Sequence, residues 1–273
     1  MNFFEKILYM LQAEMERPEP YGWFHLISIF LIIMSIIILY TQRKKYSEKQ
    51  LKLVVGVYGI IALILETTQQ TIRSFDYDMI NNIASWDYPW YAAPFQLCTT
   101  PLYVSLICLF LKESKTRTAL LSYMAYITIW GAFMAVIMPD NCFVDTILVN
   151  IYTVWQHGAS LVLSIYLLMS GAVKLDKKHL GYAIQVFLIF VCIAELLNFG
   201  VYNFNIANGE EFNMFYISPY YISELPVFDT IQQNVPFPIF LFLYIFALSL
   251  GATIVLGIGK GIKHVGKKIK LNE

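Results

Sequence analysis

Two side chains organise the reading of this 273-residue chain, Cys98 and His157. A thiol with an imidazole nearby is the smallest set for covalent acyl transfer. The imidazole takes the thiol proton, the thiolate attacks a carbonyl carbon, and the imidazolium protonates the leaving group. Cys98 lies in a stretch that runs Tyr-Pro-Trp-Tyr-Ala-Ala-Pro-Phe-Gln-Leu-Cys-Thr-Thr-Pro-Leu-Tyr from Tyr88 to Tyr103. Its aromatic residues suit a membrane interface, and Pro94 suits the first turn of a helix. A helix starting there places Cys98 just inside its N-terminus, where the helix dipole favours a thiolate. The N–H groups around Phe95 to Cys98 then become oxyanion donors. The plainer alternatives are a packing cysteine, a disulfide from Cys98 to Cys142, and a histidine that only bridges helices.

Other polar groups fall at similar depths. Ionisable side chains in hydrocarbon cost several kcal/mol unless paired, so each one is a functional hypothesis. Glu66, Gln69, Gln70 and Arg73 form one helical stripe, Glu195 and Asn198 a second, and Thr153, His157, Ser160 and Ser164 a third. At 1.5 Å per residue, Glu66, Cys98, Glu195 and His157 all lie roughly 9–16 Å from the ends of their segments. The expectation is a buried polar pocket, with Cys98 and His157 catalytic and Glu66, Gln70, Gln96, Glu195 and Asn198 supporting. Glu66, Glu195 or Asn198 is expected to orient the imidazole, unless Glu66 is simply neutralised by Arg73.

The elements that must position these groups are membrane helices. The chain is 58% hydrophobic and 14% charged, with a mean hydropathy of +0.58. That composition excludes an ordinary soluble domain. Seven apolar segments are each near the ~20 residues a crossing needs. They lie at about 22–42, 51–72, 90–112, 117–138, 146–170, 180–203 and 235–258. Sixteen of the nineteen Lys and Arg residues flank alternate connections or the C-terminal tail. The positive-inside rule then puts the N-terminus outside and the C-terminus in the cytoplasm. The reading is an all-α, polytopic seven-transmembrane-helix bundle over 21–259. A short amphipathic helix in residues 1–20 lies on the membrane surface, and a basic cytoplasmic tail covers 260–273. No cleavable signal pattern is present. The longest connection, 204–234, reads either as a structured cap or as a solvated loop. A retinal protein is excluded, because the last segment has no lysine for a Schiff base. The four cysteines have no metal-ligand spacing and few histidines remain for a cluster, so neither cofactor nor metal is expected.

Pro94-Phe95-Gln96-Leu97-Cys98 at a helix start, His157-Gly158 two segments later, and Asn213-Met214 leading to Ser218-Pro219 before the last segment together resemble the YwaF-like integral membrane proteins. These are bacterial relatives of the eukaryotic seven-helix phospholipid acyltransferases, the transmembrane protein 164 family. The resemblance covers most of the chain. It implies that Cys98 carries an acyl group as a thioester and that His157 acts as its base. It also implies a bacterial source and hence a plasma-membrane location. The chain departs from the bacterial pattern at Gln96, where a histidine is frequent, and at Ser218, where a lysine is common. Those departures bear on headgroup recognition.

The expected function is an acyltransferase or transacylase that moves a fatty acyl group between lipids in the outer half of the bilayer. Its partners are a membrane phospholipid or lysolipid; no nucleic acid and no protein partner is inferred. The alternative is a non-enzymatic receptor or transporter that binds a lipid or small molecule in the same pocket. A metal-dependent hydrolase using His157 and the two glutamates is a weaker third.

Overall fold

The computed structural model describes residues 1–42, 47–139 and 142–271. Among the described residues ten α-helices carry most of the chain: α1 (Phe3–Leu11), α2 (Trp23–Gln42), α3 (Glu48–Ser74), α4 (Thr100–Phe110), α5 (Lys115–Tyr123), α6 (Ile129–Ile137), α7 (Ile147–Met169), α8 (Lys177–Asn203), α9 (Phe228–Asn234) and α10 (Phe237–Leu271). The starts follow local chemistry. Ser47, Ser114 and Asp176 each accept a backbone N–H three residues on, so they cap α3, α5 and α8. Asn2 and Glu5 close a reciprocal capping box on α1.

Among the described residues five helical stretches are long and apolar enough to cross a membrane: Trp23–Thr41, Glu48–Ser74, Lys115–Ile137, Lys177–Asn203 and Phe237–His264. The third joins α5 and α6 through a π-helical turn, Met124–Thr128, in which every residue is buried. That turn sits at the centre, packed against α4, α7, α8 and α10. The Thr128 and Ser164 hydroxyls both donate to the Met124 carbonyl and satisfy the widened turn. Helix α7 has 23 residues but is not among the five, because polar side chains interrupt its apolar sequence.

The segment expected at 90–112 differs most. Only Thr100–Phe110 is α-helical, too short alone to cross 30 Å. Before it come a 3₁₀ turn, Trp90–Ala92, and an irregular run to Thr99. The helix starts at the second proline, Pro101, and Thr99 is its N-cap residue. The Thr99 hydroxyl accepts from Gln96 N at 2.8 Å and donates to Gln96 O at 2.9 Å, which closes a turn and delays the helix.

Further differences lie at the same end of the bundle. A β-hairpin, β1 (Phe75–Asp78) with β2 (Ile83–Trp86), follows α3 and pairs Phe75 with Trp86. Helix α1 does not simply rest on a surface. Leu8 is buried against Ile72, Phe75 and Val149. Gln12 donates to the Ile72 and Phe75 carbonyls and so occupies acceptors at the end of α3. Phe3, Phe4 and Met10 remain exposed on its other side. The connection 204–234 is ordered, with Phe212, Met214, Phe215, Ile217 and Ser218 buried in the bundle mouth. The stretch expected as a tail continues α10 as helix to Leu271. Of the basic residues used to orient the chain, Arg43, Lys44 and Lys45 lie outside the described residues.

Candidate functional site

Helices α3 and α7 and the irregular run before α4 meet at one buried polar layer. Gln156 is nine residues into α7, about 14 Å along its axis. Its Nε2 donates to the Cys98 carbonyl at 2.5 Å. Cys98 thus lies beside Gln156 of α7, on non-helical backbone two residues ahead of α4 rather than inside a helix. Such backbone persists within a membrane only where protein or a cavity surrounds it. The Cys98 side chain is half-buried, and the Thr99 N–H donates to the Gln96 carbonyl at 3.0 Å. Two of the expected oxyanion donors are already engaged, Phe95 N with Ala93 O and Gln96 N with Thr99.

His157 follows Gln156 but turns away. No hydrogen bond joins it to Cys98. Its ring lines a crevice of about 20 Å³, room for roughly one water, together with His25, Ser28, Ile32 and Phe143. Its Nδ1 is buried without a hydrogen-bond partner. The stripe of α7 that faces α3 is Tyr152, Gln156 and Ser160. Tyr152 donates to Glu66 Oε2, and Ser160 bonds the Tyr58 hydroxyl at 2.6 Å. From the sequence, Ser160 is grouped with Thr153 and His157 rather than with the Tyr152 and Gln156 of this stripe. The four-residue spacing of Tyr152, Gln156 and Ser160 was the signal available for it.

Glu66 is 5% exposed and has no cation. Its Oε1 accepts from Gln69 at 2.8 Å and Gln70 at 2.9 Å. Gln70 also donates to the Ala92 carbonyl at 2.5 Å and so ties α3 to the run before Cys98. The alternative, neutralisation by Arg73, does not occur, since Arg73 Nη1 points to the Tyr91 hydroxyl at 3.4 Å. Nor does any of Glu66, Glu195 or Asn198 hydrogen-bond His157. The four cysteines are described and none is in a disulfide, so Cys98 and Cys142 are not bridged.

Gln96 and Asn198 do something the sequence did not indicate. Gln96 donates to Asn213 O at 2.9 Å and accepts from Phe215 N at 2.7 Å. Asn198 accepts from Met214 N at 2.7 Å and donates to Met214 O at 3.1 Å. Two amides thus grip three consecutive residues as neighbouring strands would. Phe215 and Tyr216 both have positive φ, 60° and 57°, an uncommon pair of left-handed non-glycine residues. Phe215 stacks on Phe95 with centroids 5.6 Å apart. The stretch 213–218 is therefore a strap that lies over the Cys98 run and is fastened to it. Glu195, half-buried, meets only Asn198 Nδ2, at 3.5 Å.

A family model described as the TMEM164 family matches residues 18–256. The chain belongs to the TMEM164 family. That stretch takes in α2 to α9, the Cys98 run, the α7 stripe and the strap, and most of α10. No curated protein matches the chain, and no solved structure does. Membership makes this a membrane protein, in accord with its five long apolar helices. Among the described residues no group of three His, Cys, Asp or Glu side chains is placed to hold a metal ion.

Proposed function

We propose that this TMEM164-family chain is a membrane acyltransferase or transacylase that carries a fatty acyl group as a thioester on Cys98. The carrying observation is Cys98 itself, held beside α7 on irregular backbone by the Gln156 amide. In this reading α4 and its irregular run make one crossing and α7 another, for seven in all. The loop-rich end faces outward and the lysine-rich end the cytoplasm of a bacterial cell, whose plasma membrane the protein spans.

The thiol proton passes to His157, the sulfur attacks an ester carbonyl of a phospholipid, and the departing lysolipid oxygen takes the proton back. A second lysolipid hydroxyl then attacks the thioester, and Cys98 regains its proton. His157 must approach the sulfur for this, and catalytic hydrogen bonds commonly tighten only when substrate binds. The test is intact-protein mass spectrometry of the membrane-extracted protein before and after hydroxylamine. A fatty-acyl mass that hydroxylamine releases and Cys98→Ala lacks supports the reading, as does loss of lipid acyl transfer in Cys98→Ala at normal expression. Transfer retained in Cys98→Ala overturns it.

The separation of His157 from Cys98 favours a second reading, a receptor or transporter that binds a lipid or small molecule in the same polar layer. There Cys98→Ala is silent, whereas substitutions at Glu66 and His157 change ligand affinity.

A further inference from the structure

The polar layer around Glu66 holds two orphaned acceptors. The two Gln amides each donate to Glu66 Oε1, and Gln70 donates to the Ala92 carbonyl as well. Their own carbonyl oxygens, Gln69 Oε1 and Gln70 Oε1, are buried without partners. Nitrogen and oxygen of one amide are bonded to the same carbon, so each of these oxygens lies within about 5 Å of Glu66 Oε1. Tyr152 adds a hydroxyl oxygen at Glu66 Oε2, and Ala92 a backbone carbonyl. Glu66 and Gln69 are 5% and 4% exposed, so bulk water does not serve these atoms. Three neutral donors converging on two oxygens suit an ionised carboxylate, which only accepts. Arg73, the cation on the same helix, is turned to Tyr91 and forms no ion pair with Glu66.

We propose that Glu66, Gln69, Gln70, Tyr152 and the Ala92 carbonyl form a site for a compact monovalent cation, either an alkali-metal ion or a primary ammonium group. Hard oxygen ligands suit such ions, and a single carboxylate matches a single positive charge. Bound there, the cation offsets the cost of a carboxylate in the bundle interior and gives the orphaned amide oxygens a partner. The site joins α3 to α7 and to the run before Cys98. It stands whether or not Cys98 is a nucleophile.

The test follows thermal unfolding of the purified full-length protein in nanodiscs of phosphatidylcholine and phosphatidylglycerol. Na⁺ or K⁺ replaces N-methylglucamine, a cation too large for the site, at constant ionic strength. A saturable rise in Tm of about 2–4 °C is expected from binding to the folded state alone, with the rise absent in Glu66→Gln. If Glu66→Gln does not fold, Gln69→Leu keeps the carboxylate and removes one oxygen, and should raise the half-saturating concentration several-fold. A rise seen only when phosphatidylethanolamine replaces phosphatidylcholine, and lost in the same variants, assigns the site to a headgroup ammonium. The proposal is overturned if neither cation source shifts Tm, or if the shift persists in Glu66→Gln or keeps its half-saturation in Gln69→Leu.

Discussion

Replacing Gln96 with Met keeps the side chain's length and removes both of its hydrogen bonds to the strap. Asn213 O and Phe215 N then lose their partners while both residues stay at least 97% buried. An unpaired buried polar group costs about 1–3 kcal/mol, and a carbonyl left single is the milder case, so the strap loses about 2–4 kcal/mol. It has little reserve, since two left-handed non-glycine residues in succession cost about 1–2 kcal/mol each. Asn198 still grips Met214 on the other side, so opening is confined to the strap rather than spread through the bundle. Each 1.4 kcal/mol is a tenfold change, so amides in residues 213–218 should exchange with deuterium about 30- to 1,000-fold faster. Hydrogen-exchange mass spectrometry on peptides covering 211–222 reads this directly. Wild-type exchange there would show that the amide grip does not hold the strap. A uniform increase across all helices would show that Gln96 supports the bundle instead.

Other expectations test packing and end chemistry. At Gly251 an added Cβ would meet the Trp130 ring at 2.7 Å, whereas at Gly257 on the same helix it meets nothing within 4 Å. Gly251→Ala should therefore lower stability by about 1–3 kcal/mol in a thermal-shift assay, and Gly257→Ala should not. Arg117, 3% exposed, is paired with Glu48 at 2.5 Å, so Glu48→Ala leaves it without its carboxylate. Because Glu48 is itself partly exposed, the loss should be about 1–2 kcal/mol rather than that of a fully buried pair, read as a fall in Tm. The backbone N–H and imidazole of His179 hold the Asp176 carboxyl below its usual pKa. A depressed carboxylate stabilises the fold above its unfolded pKa, and that contribution goes as pH falls through the folded value. The first turn of α8 should therefore show faster exchange only below about pH 4, and Asp176→Ala should show it at neutral pH as well.

Much of this fold is legible in the sequence because hydrocarbon demands long apolar runs and short lysine-marked turns follow them. Helices α2, α3, α8 and the α5–α6 pair begin and end within a few residues of the expected segments. The 90–112 segment misleads because it holds two prolines, each able to open a helix. A local hydroxyl-to-backbone bond at Thr99 decides between them, and hydropathy does not register it. The polar layer itself is legible from depth, but its wiring is not. Depth places Gln156 and His157 within one residue of each other, whereas only the rotation of α7, set by packing against α2 and α3, decides which faces Cys98. Gln96 and Asn198 stand out as polar residues in apolar surroundings. Asn198 reaches Met214 across 16 positions and Gln96 reaches Asn213 and Phe215 across more than a hundred, which no local pattern encodes.

The eleven-residue α4 also bears on how the chain enters a membrane during synthesis. Alone, Thr100–Phe110 spans about 16 Å and is a weak stop for the insertion machinery. Its C-terminal end is followed at once by Lys112, Lys115 and Arg117 and then by the 23-residue stretch Lys115–Ile137. The short helix and the long one after it should therefore partition together as a hairpin, with the longer one supplying most of the apolar driving force. The irregular run that carries Cys98 enters with them and is enclosed only when α7 arrives and the later stretch 213–218 closes over it.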